Sequence, residues 1–272
     1  MTAMNRRHFL TTTLASASLA GLPLASRAAA EAAAAASPTR EFFELRQYHL
    51  RRGPSQRVFE DYIRNAAIPA MNRLGIQPIG VFNISTGLDS PSTYVLIPYR
   101  SLDQFATVGQ RLAADEEYLK AGAPAINATV DNPVYARVES SLFAAFDGMP
   151  KLEVPKLASG AKPKLYELRI YESHNKQANK KKIEMFNQGE IAIFRRNGLT
   201  PVFFGEALIG SRLPNLTYLL AFEDMAAHDK NWSAFGGDPE WKAISSKPEY
   251  ADAKILTNIS NVFLRPGAGS QI

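Results

Sequence analysis

Cysteine is missing from all 272 residues, which removes disulfides, thiolate metal sites, iron–sulfur ligation and a thiol nucleophile together. Stability must then come from packing alone. No apolar run reaches the roughly 20 residues a membrane span needs; the longest, Leu14 to Leu24, is short and interrupted by Thr and Ser. An excess of one charge is missing too. The 31 basic and 26 acidic residues give +5, and setting aside Arg6, Arg7 and Arg27 leaves 28 against 26. That balance offers no electrostatic case for nucleic acid. Histidine is scarce: of four, only His49, His174 and His228 lie beyond the first thirty residues. They form neither H-E-x-x-H nor H-x-E-x-H, and no Ser-His-Asp order, nucleophile elbow or phosphate-cradling Gly loop is present. The sequence therefore names no metal, no cofactor and no catalytic set.

What is present begins with an ordered leader. Asn5, Arg6, Arg7, His8, Phe9, Leu10 is a twin-arginine sequence, followed by the weak apolar run and a small-residue site at Ala28, Ala29, Ala30. Charged region, apolar core and A-x-A end predict an export signal over 1–30, with the twin-arginine machinery as partner and the periplasm or exterior as destination.

The rest says nearly the same thing twice. Phe43, Glu44, Leu45, Arg46, Gln47, Tyr48 returns as Tyr166, Glu167, Leu168, Arg169, Ile170, Tyr171, a spacing of 123 residues (Glu44 to Glu167). Leu74 to Pro78 lies over Asn197 to Pro201 at the same spacing, while Thr93 to Leu96 matches Thr217 to Leu220 one residue further on. A repeat this long is a domain, not a solenoid unit. Each copy reads strand, helix, two strands, helix, strand. In the second, strands are expected near 164–172, 201–209, 216–223 and 255–264. That order is the split βαβ arrangement, which leaves one sheet face bare. The expected fold is α+β: two tandem ferredoxin-like modules, residues 40–146 and 164–266, closing face to face as a pseudo-two-fold α/β barrel. Residues 31–39 and 147–163 read as linkers, the latter with three prolines, and 267–272 as a loose tail.

Alternation along a strand splits the repeated segment into two rows. Phe43 and Leu45, with Tyr166, Leu168 and Ile170, are expected beneath the helices. Glu44, Arg46 and Tyr48, with Glu167, Arg169 and Tyr171, are expected to face the space between the sheets. Glu and Arg two apart can pair along the strand; the same row could hold an anionic or carbonyl group on the arginines, with a tyrosine as donor. The lysine run 176–182 reads as a solvated face. Trp232, Ser233, Ala234, Phe235 and then Asp238, Pro239, Glu240, Trp241 form a helix start capped by Asp238. Trp232 and Trp241 read either as packing over the barrel mouth or as a lid on the pocket. The first copy keeps only Asp115, Glu116, Glu117, Tyr118.

The Tyr166 to Tyr171 opening, the Trp232 to Trp241 segment ending in Asp-Pro-Glu-Trp, and the closing Asn261, Val262, Phe263, Leu264, Arg265, Pro266 together resemble the NIPSNAP family. The match is specific over about 164–266, and the first module joins it through Phe43 to Tyr48. The resemblance implies a dimeric α/β barrel and assigns no defined activity. Two functions are expected to compete: an exported protein binding a small organic ligand in a polar pocket between the sheets, or a periplasmic enzyme of the same superfamily, a monooxygenase, isomerase or haem-related protein. Further association into a homo-oligomer stays open.

Overall fold

In the computed structural model the described residues are 40–87 and 89–272. The leader, the 31–39 linker and the export reading fall outside them.

The first module runs β1 (Phe42–Leu50), α1 (Ser55–Tyr62), a π-helical turn (Ile63–Ala67), α2 (Ile68–Arg73), β2 (Gly80–Ile84), β3 (Ser92–Tyr99), α3 (Leu102–Ala113), α4 (Glu116–Ile126) and β4 (Tyr135–Ala145). The second repeats it as β5 (Leu165–Glu172), α5 (Lys176–Met185), a π-helical turn (Phe186–Glu190), α6 (Ile191–Arg196), β6 (Thr200–Ile209), β7 (Asn215–Phe222), α7 (Met225–Gly237), α8 (Pro239–Ser245), a 3-10 turn (Pro248–Tyr250), α9 (Asp252–Ile255) and β8 (Asn258–Pro266). Both π turns fall at the same place in the repeat. The last strand starts at Asn258 rather than near Ile255, because α9 occupies 252–255.

The eight strands close into one antiparallel barrel in the order β1-β3-β2-β8-β5-β7-β6-β4. Two seams join the modules. At one, β4 pairs with β6 over Leu142–Ala145; at the other, β2 pairs with β8 over Phe82–Ile84. Closure disposes of the sheet edges that each module alone would expose. Gly205 lacks a side chain where the Phe143 ring crosses the first seam, since a Cβ there would sit 2.6 Å from Phe143.

The first three strands of each module keep the 123-residue spacing, whereas the last strands stand 121 apart, with Leu142 opposite Glu44 and Phe263 opposite Glu167. Glu44 lies opposite Ile97 and Glu167 opposite Leu220, so the run Thr93 to Leu96 does not overlie Thr217 to Leu220. A slip of one residue turns every side chain to the other face. Tyr94, opposite Gln47, accordingly belongs to the barrel interior, whereas Tyr218, opposite Arg169, lies under the helices.

The two rows are the reverse of expectation. Phe43, Leu45, Tyr166 and Leu168 meet inside the barrel, in one cluster with Phe82, Leu96, Phe143, Phe203, Leu219 and Leu264 from both modules. Tyr48 instead packs with Phe59, Ile63 and Ile97, and Tyr171 with Phe186, Phe194 and Tyr218, in the separate layers between sheet and helices. The reason is geometric. A closed barrel of eight strands leaves a narrow interior that side chains fill, and apolar ones fill it without desolvating charge.

The tail is not loose. Gly267 and Gln271 donate backbone N–H groups to the carbonyls of Val81 and Ile79, Gln271 Oε1 accepts from Ile79 N at 2.8 Å, and Ser270 Oγ accepts from Val81 N at 3.0 Å. Ile272 and, from the 147–163 segment, Leu152 pack against the interior cluster. Leu152 is held by Glu41 at the start of β1, and Glu153 N reaches the Val202 carbonyl near the start of β6. Linker and tail thus floor the barrel at the end where β1, β2, β5 and β6 begin. No helix among the described residues is long and apolar enough to cross a membrane.

Candidate functional site

At the opposite end, the barrel holds a cavity of about 400 Å³ lined from both modules. Leu45, Phe143, Leu168, Ile170 and Val262 make its apolar wall; Gln47, Tyr94, Asp89, Glu139, Arg212, Asn215 and Thr217 bring polar groups to it. The two hairpin turns form the rim. Gly87 and Gly210, 123 residues apart, have φ of 151° and 146° and turn the chain. Asp89 and Arg212 are the next equivalent pair, so the same rim position carries opposite charge in the two modules. Each turn is clamped: Ser92 donates to the Asp89 carbonyl, and its counterpart Asn215 donates through Nδ2 to the carbonyls of Ser211 and Arg212 at 3.0 and 3.2 Å. The Asn215 clamp holds Arg212 at φ 61°, a left-handed conformation unfavourable for a residue with a side chain.

Three donors at this cavity have no protein partner, one of them, on Arg212, exposed at the rim. Gln47 Nε2 is buried without a partner, and the Tyr94 hydroxyl and Arg212 guanidinium bond to no side chain or carbonyl among the described residues. Burial, with a further push from Asp89, raises the Tyr94 phenol to about 12, so it remains a neutral donor near neutrality. Glu139 is occupied: Arg137 Nε donates to it at 2.9 Å and His49 Nε2 lies 3.1 Å away. The Arg137 hydrogen bond, with Arg137 and His49 close by, keeps its carboxyl below the usual range.

The eight residues expected to bind a ligand lie elsewhere, under the helices. Arg46 clamps Glu44 in bidentate fashion at 2.7 and 2.9 Å, and Glu44 also accepts from Tyr99 at 2.9 Å and Ser140 at 2.7 Å. In the second module Glu167, fully buried, accepts from Arg169 at 2.6 Å, Trp232 Nε1 at 2.9 Å and Asn261 at 3.0 Å. Arg46 reaches the Tyr48 hydroxyl at 3.5 Å, and Arg169 reaches that of Tyr171 at 3.3 Å. The expected ion pairs are therefore present, but on the other face of the sheet. Trp232 stacks on Arg169 at 4.6 Å and Trp241 on Phe235 at 4.4 Å. They cover this polar row, not the barrel mouth.

For Glu44, burial is the largest influence and acts to raise the pKa, but the hydrogen bonds and charge of Arg46, with the hydrogen bonds from Ser140 and Tyr99, together outweigh it, so the carboxyl titrates below its ordinary value of 4.5. A depressed folded pKa contributes stability above the unfolded value that disappears as pH falls through the folded one. Acid titration followed by circular dichroism should show Glu44→Gln losing stability mainly above pH 4.5, with the gap to the parent closing below it; a constant gap would refute this.

The modules also differ beneath the π turns. Phe59 and Ala67 on the first correspond to Lys182 and Glu190 on the second, whose Nζ and Oε2 are 3.2 Å apart with both side chains 2% exposed. Tyr171, Phe186 and Trp241 surround the ammonium at 5.6, 5.1 and 5.5 Å. Burial raises the Glu190 pKa against the pull of Lys182. Lys182 is thus not part of a solvated face. Its partner Glu190 carries no local signal; only comparison with Phe59 and Ala67 in the other copy exposes the pair. In the Asp-Pro-Glu-Trp segment, Arg196 grips Asp238 and Glu240 as Arg73 grips Asp115 and Glu117. The first copy has the same clamp and Tyr118 in place of Trp241.

Of the histidines, His49 sits by Glu139, and His228 Nε2 is 3.3 Å from Glu167 Oε2 but off the hydrogen-bond line. His174 is exposed. No group of three or more potential metal ligands occurs among the described residues.

The NIPSNAP family model matches residues 43–140 and 166–271, one segment in each module. Among curated proteins no relative matches. A provisionally assigned monooxygenase from Fusobacterium nucleatum shares 8% identity over 84% of this chain and 93% of its own, with a TM-score of 0.56. Another, from Lactobacillus acidophilus, shares 10% over 86% and 98%, at 0.53. These likenesses concern the fold. An uncharacterized NIPSNAP-like domain protein from Burkholderia xenovorans shares 23% identity, covering 40% of this chain and 89% of its own, with a TM-score of 0.36.

Proposed function

The chain belongs to the NIPSNAP family, and on that footing we propose that it binds a small organic ligand in the open end of the barrel. The observation that carries this is the cavity of about 400 Å³, apolar along its wall and polar at the rim. Size and lining match the usual form of small-molecule sites. The pocket lies between the sheets, but its walls come from the other row: Leu45, Gln47, Leu168 and Ile170 in place of Glu44, Arg46, Glu167 and Arg169. The latter remain as the support that seats the helices.

The twin-arginine sequence at Arg6 and Arg7 places the same proposal in the periplasm, with the barrel folded before export. Native mass spectrometry of protein recovered from the periplasmic fraction should show a small-molecule adduct. Ile170→Trp, which fills the half-buried cavity wall, should remove it. Recovery only from the cytoplasm would overturn the location. Absence of any adduct or thermal stabilisation by a metabolite panel, in parent and variant alike, would overturn the binding reading.

A further inference from the structure

We propose that the ligand in this cavity carries a carboxylate, bound jointly by Gln47, Tyr94 and Arg212, with its apolar body against Leu45, Phe143, Leu168 and Val262. This rests on the cavity reading above and adds the chemical class.

The polar groups at the rim are not evenly matched. Glu139 is engaged by Arg137 and His49, Asn215 by the carbonyls of its own turn, and Thr217 by Asn215 Oδ1 at 3.1 Å. What remains without a protein partner is the buried Gln47 amide N–H and the Tyr94 phenol, with the exposed Arg212 guanidinium beside them at the rim, and the exposed Asp89 carboxylate on the other side of the balance. An unpaired buried donor is costly unless something accepts from it. A carboxylate accepts several such bonds at once, and Arg offers it a planar, charge-assisted pair.

Comparison of the modules supports the same assignment. Gln47 stands where the second module has Ile170, Tyr94 where it has Thr217, and Arg212 where the first has Asp89. The three donors therefore arise from positions at which the repeat has diverged, two in one copy and one in the other, and they face a single cavity. Arg212 is moreover kept in a left-handed conformation by the Asn215 clamp. Asp89 opposes an anion, so its removal should help.

The test uses the mature full chain and three probes of one length: octanoate, octanol and octylamine. Calorimetry should show octanoate binding at least about tenfold tighter than octanol, with added salt narrowing the difference. Arg212→Ala should abolish that preference. Tyr94→Phe and Gln47→Leu should each weaken octanoate by roughly threefold to tenfold, the worth of one hydrogen bond, and weaken octanol less. Asp89→Asn should tighten octanoate. Octanol binding as well as octanoate, or octylamine binding better, would overturn the carboxylate assignment and leave the cavity reading standing. Failure of all three probes, in the parent and in Ile170→Trp alike, would remove both.

Discussion

Lys182→Met should destabilise the protein by about 3–5 kcal/mol, because it strands Glu190 as a buried charge without a partner. Both side chains are 2% exposed and 3.2 Å apart. The first module solves the same packing problem with Phe59 and Ala67. The double variant Lys182→Phe, Glu190→Ala, which imports that solution, should recover to within about 1 kcal/mol of the parent or exceed it, as replacing a buried ion pair by apolar groups often does. Urea unfolding with unchanged slope gives both numbers. A pH series adds a second reading. Without Lys182 only the weaker pull of Arg169 opposes the burial that raises the Glu190 pKa, so the deficit of the single variant should shrink as pH falls and Glu190 takes up a proton. If Lys182→Met is as stable as the parent at neutral pH, the pair is not a coupled unit.

Glu167→Ala should cost a similar amount, about 3–5 kcal/mol, and by a different route. This carboxylate is the common acceptor for Arg169, Trp232 and Asn261, which belong to β5, α7 and β8. Its loss leaves a half-buried guanidinium and two donors unmatched, and it releases α7 from the sheet. Trp232 reports this directly, since its indole both donates to Glu167 and stacks on Arg169. Fluorescence of a Trp241→Phe background should shift to the red on adding Glu167→Ala, while far-ultraviolet circular dichroism holds. An unshifted emission would mean that Trp232 is seated by Phe194 and Phe235 alone. Glu167→Gln, which keeps an acceptor for Trp232 but not the charge, should lie between the two.

Much of the fold is legible in the chain's own repeat. Two like copies, the split βαβ order and the bare sheet face together require closure, and the barrel closes. Glu44 with Arg46 and Glu167 with Arg169 are legible as pairs because spacing two on a strand places them side by side. Which way those pairs face is not legible. Alternation divides a strand into two rows but does not say which is inside, and here both rows are buried, one by the opposite sheet and one by helices. The tail at 267–272 and Leu152 carry no sign of their place in the floor for a related reason: their partners Ile79, Val81 and Glu41 are distant in the chain, and no local pattern records that.

Composition, spacing and period by themselves determined that two like modules exist, that they carry Glu-x-Arg-x-Tyr strands, and that neither cysteine chemistry nor a broad basic surface is available. Tertiary structure alone decided the rest. It put Gln47, Tyr94 and Arg212 around one cavity, joined Lys182 to Glu190 across a π turn, and moved the repeated polar row from the barrel to its outer layer. The physical reason is that local pattern reports which residues share a face, whereas burial, pairing and the meeting of opposite modules depend on closure of the whole sheet.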